Sequence, residues 1–245
     1  MVVTENGNYR FVKKALTFVF TLFIPFLSFS QDDRFQAGVA AEERGHFATA
    51  LRSWIPLAEE GVPEAQNNVG HMYEKGQGVA QNYSVAMQWY RRAAESELAE
   101  AQLNIGLLYY YGYGVATNHR EAVSWFRLAA ENELPEAEYM LALSYEQGTG
   151  ISLDYREARR LFLKSARANY APAQMMYSFM LQAGEGLEDS DPFRAYIWGK
   201  IAEQNGSEEA LDVTSISSIL LEDEEVAEAD LIIERCLTQG LDTCP

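Results

Sequence analysis

The stretch that decides the fold is PEAQNNVGHMYEKGQGVAQNYSVAMQWYRRAAESEL, residues 63–98. The residues that follow say the same thing again, first as AEAQLNIGLLYYYGYGVATNHREAVSWFRLAAENEL (99–134) and then as PEAEYMLALSYEQGTGISLDYREARRLFLKSARANY (135–170). A fourth copy runs over 171–206 with one residue inserted before its second half, and a shorter, more divergent copy precedes the set within 31–62. A period of 36 residues is the signature of a stacked repeat architecture, in which no unit buries its apolar face alone.

Each copy reads as two helices. Pro63, Pro135 and Pro172, with Glu64, Glu100 and Glu136, mark first turns, where proline loses no hydrogen bond and a carboxylate faces the positive end of the helix. Ala65, Val69 and Met72 then fall on one side at helical spacing, as Ala101, Ile105 and Leu108 do one period later. Gly70, Gly106, Ala142 and Ser178 keep one position small, which predicts close approach of a neighbouring helix. The break is Gly76-Gln-Gly78, and its equivalents are Gly112-Tyr-Gly114, Gly148-Thr-Gly150 and Gly184-Glu-Gly186. A phosphate-cradling loop would need a strand before it, so four recurrences between helices predict turns. Asn82, Asn118, Asp154 and Asp191 follow as N-caps of the second helix. Ala86/Trp89/Tyr90/Ala93 and their counterparts give that helix its apolar stripe, and Trp89, Trp125 and Trp198 are read as core rather than as a ligand box.

These residues carry a family resemblance. Ala65, Gly70, Tyr73, Gly76, Gly78, Val79, Asn82, Ala86, Trp89 and Ala93-Ala94 resemble the consensus of the Sel1-like repeat, a relative of the tetratricopeptide repeat. Ala101, Gly106, Tyr109, Gly112, Gly114, Val115, Asn118, Ala122, Trp125 and Ala129-Ala130 repeat it, and the resemblance covers 63–206. It implies an all-α, right-handed α/α solenoid of about five helix pairs with a C-terminal helical cap and tail over 207–245. It also implies a protein-binding scaffold in envelope assembly, secretion or signalling, with no cofactor and no metal. The family usually places Gly between one repeat and the next. Here Gly61 and Gly206 keep it, whereas Glu97, Glu133 and Asn169 stand at the intervening sites, so those turns are either reshaped or strained.

The chain has 36 acidic against 19 basic residues, a formal charge of -17, which argues against nucleic acid or an anionic membrane as the main partner. Arg10, Lys13 and Lys14 precede the apolar run Ala15–Leu27, and Ser28-Phe29-Ser30 closes it, a pattern that predicts a signal peptide over 1–30. The apolar run is shorter than the roughly 20 residues a membrane span needs, and it contains Pro25. The expected exported chain, periplasmic or secreted and without stable membrane insertion, keeps 16 bases and 35 acids, a charge near -19. In an oxidising compartment, Cys236 and Cys244 are expected to pair and pin the tail to the last helix. That helix is expected to start at Glu222-Asp-Glu-Glu225, with Val226, Ala229, Ile232, Ile233 and Cys236 on its inner side. Ser207 to Leu221 can form another helix carrying Leu211, Ser215 and Ile219 on one face, and the pair is expected to close the solenoid with a polar outer surface.

For catalysis the sequence offers no Ser-x-x-Lys, His-Glu-x-x-His or Gly-x-Ser-x-Gly, and His46, His71 and His119 read as structural or solvated. A secreted hydrolase of β-lactamase type and a host-directed binding effector are the alternatives to a scaffold. The clearest departure from the repeat is aromatic. Tyr110, Tyr111 and Tyr113 stand where the copies before and after carry Glu74, Lys75, Gln77 and Glu146, Gln147, Thr149, so these three tyrosines are the candidate partner-binding patch.

Overall fold

The computed structural model describes residues 30–245, so the expected leader lies outside the described residues except for Ser30. Twelve α-helices follow one another there, and no strand is present among the described residues. They pair as α1 (Gln31–Glu43) with α2 (Phe47–Glu59), α3 (Pro63–Lys75) with α4 (Tyr83–Ala94), and α5 (Ala99–Tyr111) with α6 (His119–Glu131). The series continues with α7 (Pro135–Gln147) and α8 (Tyr155–Arg167), then α9 (Ala171–Ala183) and α10 (Pro192–Gln204). Each helix packs on the one before and the one after, which makes the chain an α-solenoid. It ends in α11 (Ala210–Ile219), α12 (Asp223–Gln239) and a short 3-10 turn, Leu241–Thr243.

The helix ends follow the residues that set them. Asn82, Asn118 and Asp191 each accept the backbone N–H three residues on, at 3.1, 3.2 and 2.9 Å, and Asp154 accepts two, from Arg156 and Glu157. The first glycine of each loop is a left-handed C-cap, with φ of 68°, 75°, 65° and 74° at Gly76, Gly112, Gly148 and Gly184. The second glycine has a different task. A Cβ on Gly78 would lie 2.6 Å from the Ala48 nitrogen, and one on Gly114 2.5 Å from the Tyr83 Cβ. On Gly150 it would overlap the His119 carbonyl, and on Gly186 it would sit 2.8 Å from the Tyr155 carbonyl. Every loop is therefore seated, backbone against backbone, on the first turn of the second helix of the preceding pair.

Inside each pair a ring covers the small position. A Cβ on Gly70 would come within 2.7 Å of the Tyr90 ring, one on Gly106 within 2.5 Å of Phe126, and one on Gly38 would overlap Trp54. All three rings are fully buried. The expected close approach is thus chiefly that of an aromatic ring, with the Ala86 and Ala122 carbonyls also near, 3.3 Å from the same Cβ positions. The fourth copy departs, because Gly199 stands where Tyr90, Phe126 and Phe162 stand in the other three. Ser178 fills part of the gap by donating to the Ala195 carbonyl at 2.7 Å, and Thr214 of α11 enters where a ring would have been, so that a Cβ on Gly199 would lie 2.5 Å from its methyl group.

This contact overturns the expectation of a polar outer surface at the cap. Gly199 offers α11 a shallow surface, and Glu203 and Gln182 stand beside it as polar partners. Accordingly α11 turns inward its small and polar residues, Ala210, Val213, Thr214 and Ser217. Thr214 donates to Glu203, and Ser217 to Gln182 at 2.5 Å. Leu211, Ile216, Ile219 and Leu220 are left facing out. In contrast α12 behaves as expected, with Glu225 accepting the Glu222 N–H and with Ala229, Ile233 and Cys236 buried. Cys236 joins Cys244 with their Cα atoms 5.4 Å apart, while Trp198 donates to the Pro245 carbonyl and Arg167 to that of Cys244.

The turns between pairs resolve the other open expectation. Glu97, Glu133 and Asn169 adopt φ of 60°, 59° and 64°, so the left-handed conformation is kept and the side chains bear its cost. Asn169 suits the site best, and its side-chain oxygen accepts from Asn205 at 2.9 Å. One buried polar position also recurs. Gln66 and Gln174 donate to the carbonyls eight residues earlier, Ala58 and Ala166, at 3.0 and 3.1 Å. The third copy replaces this glutamine with Glu138, whose side chain is 2% exposed and meets Lys164 at 2.5 Å. Burial raises the Glu138 pKa, and the neighbouring ammonium offsets this only in part.

Three stability measurements follow from these placements, all readable by urea titration. Gly150→Ala is expected to cost about 3 kcal/mol, since it adds a backbone clash to the unfavourable φ, against about 1–2 kcal/mol for Gly148→Ala, whose Cβ would press on Leu153 only at 3.3 Å. Glu133→Gly is expected to gain roughly 0.5–1 kcal/mol. Because the folded-state pKa of Glu138 lies above its unfolded value, the wild type loses stability as pH rises from the ordinary carboxylate range through that raised value. Glu138→Gln removes the loss and restores a donor toward the Ala130 carbonyl. Its advantage is therefore expected to be small in acid and to grow to about 1 kcal/mol at neutral pH.

Candidate functional site

The tyrosine cluster is assembled by the loop junction just described. Because Gly114 has no side chain, the loop after α5 sits directly on Tyr83 at the start of α4. Tyr113, one residue before that glycine, consequently stacks on Tyr83 with ring centroids 5.0 Å apart. On its other side Tyr113 stacks on Tyr111 at 5.4 Å, and Tyr111 meets the edge of Tyr110 at 5.1 Å. The result is a continuous aromatic ladder across two adjacent repeats.

Its members are not equivalent. Tyr111 and Tyr113 are 54% and 44% exposed, as their polar counterparts in the neighbouring copies led us to expect. Tyr110 departs from that expectation. It is half-buried against the edge of His119 and the ring of Phe126, with centroids at 5.0 and 6.2 Å, and so it braces the ladder from behind. Burial, with Tyr111 and Glu146 nearby, raises the Tyr110 pKa above the usual phenol value. Tyr139, also raised by burial, extends the aromatic surface toward Tyr170 at 5.4 Å. Lys75, paired with Glu74 at 2.7 Å, adds a cation beside the ladder. The residue the sequence reading missed is Tyr83. Its signal was positional, since it follows the Asn82 cap that every succeeding loop must touch.

Such a surface has the form of a contact area. Tyrosines offer large contact area with few rotatable bonds, and a stacked ladder has already lost most of its side-chain freedom before a partner arrives. The three histidines stay apart, with His46 at the start of α2, His71 within α3 and His119 at the start of α6. Trp198 is fully buried, while Trp89 and Trp125 are half-buried with polar neighbours, Arg92 over the first ring at 4.5 Å and Glu121 accepting from the second at 3.2 Å.

A second concavity, of about 700 Å³, lies along α8 and is lined by Arg160, Lys164, Arg167, Glu133, Glu138 and Asp242. Its cations already have partners. Arg160 makes a bidentate pair with Glu157 at 2.6 and 2.9 Å, Lys164 meets Glu138, and Arg167 donates to the tail. The α8 cluster is thus an internal charge network that anchors the tail. No described helix is long and apolar enough to cross a membrane.

A family model described as the Sel1 repeat matches residues 63–97, 99–134, 135–170 and 171–207. Among solved structures, a Sel1 repeat protein from Oxalobacter formigenes is 30% identical, over 78% of this chain and 80% of that one, with a TM-score of 0.67. A protective antigen of uropathogenic Escherichia coli strains, displaying an SLR fold, is 27% identical with a TM-score of 0.76. That match covers 87% of this chain but 47% of the antigen, so this chain spans about half of the antigen's length. A Sel1 repeat protein from Klebsiella pneumoniae, 18% identical with a TM-score of 0.52 over 77% of this chain and 93% of that one, shares the fold. No curated protein matches the chain. With four consecutive copies matched over more than half its length, and with those copies folded as successive helix pairs, this chain belongs to the Sel1 repeat family.

Proposed function

We propose that this protein is an exported scaffold that holds a partner protein on the tyrosine ladder, and that it acts by binding rather than by catalysis. Sel1 repeat proteins generally mediate protein–protein interaction, which supplies the class of activity. The observation that carries the reading to particular residues is the stack in which exposed Tyr111 and Tyr113 rest on half-buried Tyr83. Tyr111 and Tyr113 stand where the flanking copies are polar, and the fold of the repeat does not require them. Export is supported by the leader-like pattern over 1–30 and by the cysteine pair, whose loop adds about 2–3 kcal/mol in chain-entropy terms only where it can stay oxidised. That the Escherichia coli relative is a protective antigen agrees with an exported role.

The test replaces the exposed rings and spares the brace. In envelope crosslinking, Tyr111→Ser/Tyr113→Ser is expected to lose the captured partner by about thirtyfold or more, with the melting temperature nearly unchanged. Tyr110→Ala is expected to lower the melting temperature instead, since it opens space beside Phe126. Retention of the same partner at wild-type yield by the double serine variant would remove the ladder from the function. Mass spectrometry of the exported chain is expected to show a start at Gln31 and no alkylatable thiol before reduction.

A further inference from the structure

The helix α11 is amphipathic in the wrong sense for a piece that serves only its own fold. Its buried residues are Ala210, Val213, Thr214 and Ser217, whereas its larger apolar residues point outward. Leu211, Ile216 and Leu220 are each more than half exposed, and Ile219 reaches 81%. Ile216, Ile219 and Leu220 follow the i, i+3, i+4 spacing of a single helix face, and Leu211, two turns before Ile219, lies at the edge of that face. Exposing four such side chains on one helix has no counterpart on the second helices of the repeats, where Leu128 is the one large apolar residue left exposed.

The charge around this face is equally one-sided. From Glu208 to the end of the sequence there are eleven acidic residues and one base, Arg235. Glu208, Glu209 and Asp212 stand exposed on or beside the first turn of α11, and Glu222, Asp223, Glu224 and Glu225 stand exposed just past its last. A second copy of this chain would bring the same acidic rim against its own, at a cost in like-charge repulsion. An apolar strip with an acidic rim is complementary to a helix with an apolar face and flanking Lys or Arg. Leu211 to Leu220 spans roughly 14 Å of helix, enough to receive three or four anchors from such a partner.

We propose that the outward face of α11 is a docking site for a cationic amphipathic helix of a partner protein. The surface is separate from the tyrosine ladder, which lies across the second and third helix pairs, and it does not depend on that assignment.

The proposal is tested on the full chain with a labelled Leu/Lys peptide of about five helical turns whose leucines repeat at i, i+3, i+4 and i+7. Fluorescence anisotropy is expected to show saturable binding that weakens with salt but persists, and a scrambled peptide of equal composition is expected to bind at least about tenfold more weakly. Ile216→Asp/Ile219→Asp is the stringent variant, because it adds negative charge and should strengthen any purely electrostatic attraction. It is expected to lose peptide affinity by about thirtyfold while circular dichroism and the melting temperature hold, since both side chains are exposed. The Tyr111→Ser/Tyr113→Ser chain is expected to bind the peptide like the wild type, which keeps failure of one surface distinct from failure of the other. Equal binding of ordered and scrambled peptides, or full affinity in the aspartate variant, would overturn the proposal. So would sedimentation showing a wild-type dimer that the aspartate variant dissolves, since a second copy would then cover the face.

Discussion

The contact on which the rest depends is the one between the second glycine of each loop and the backbone of the preceding pair. Gly78, Gly114, Gly150 and Gly186 all have positive φ, and each lies so near another main chain that even a methyl group would collide. Two requirements therefore converge on one residue type. Left-handed geometry alone would admit Asn, but the close approach leaves no space for any Cβ. Together they leave only glycine, which explains why this position is invariant over the four copies while the residue between the two glycines changes from Gln to Tyr, Thr and Glu.

That freedom at the middle position is what lets one repeat carry an aromatic surface that its neighbours lack. The loop is clamped at both ends, by the C-cap glycine and by the seated glycine, so its central side chain is presented from a rigid base beside the first residue of the preceding second helix. With Tyr at 113 and Tyr at 83 the presentation becomes a stack. In the following repeats the equivalent pairs are Thr149 with His119 and Glu185 with Tyr155, and neither pair extends the aromatic ladder. A repeat can therefore gain or lose an aromatic stack through two substitutions, with no change to the contacts that hold the solenoid together.

Much of this was legible from the residues because periodicity compares each position with its own copies. The helix pairs, the N-caps at Asn82, Asn118, Asp154 and Asp191, and the turns all carry that redundancy. The left-handed state of Glu97 and Glu133 was open because a consensus shows where glycine is usual and not whether a carboxylate endures the same φ. The share of each tyrosine in the patch was not legible. Solvent exposure at 110 is decided by His119 and Phe126, which come from a different helix. Glu138 escaped notice because a buried carboxylate differs from its glutamine counterparts by one atom type, and only burial makes that difference matter. Past Ser207 no copy exists for comparison, and there the reading of the outer face failed.

The failure at α11 has a physical source in α10. A solenoid continues as long as each second helix offers the next unit a surface of the same shape. Tyr90, Phe126 and Phe162 maintain that shape within their pairs, and Gly199 removes it. What meets Gly199 must approach closely and satisfy Glu203 and Gln182, a demand that Thr214 and Ser217 meet and that Leu or Ile could not. Once those two residues face inward, the helical period forces Leu211, Ile216 and Ile219 outward. An isolated cap would be better served by polar residues there, because exposed Leu and Ile return nothing to the fold and invite association. The inward face of α11 is thus explained by the repeat it terminates. Its outward face suits a partner that would cover it, and the acidic residues around it favour a cationic one.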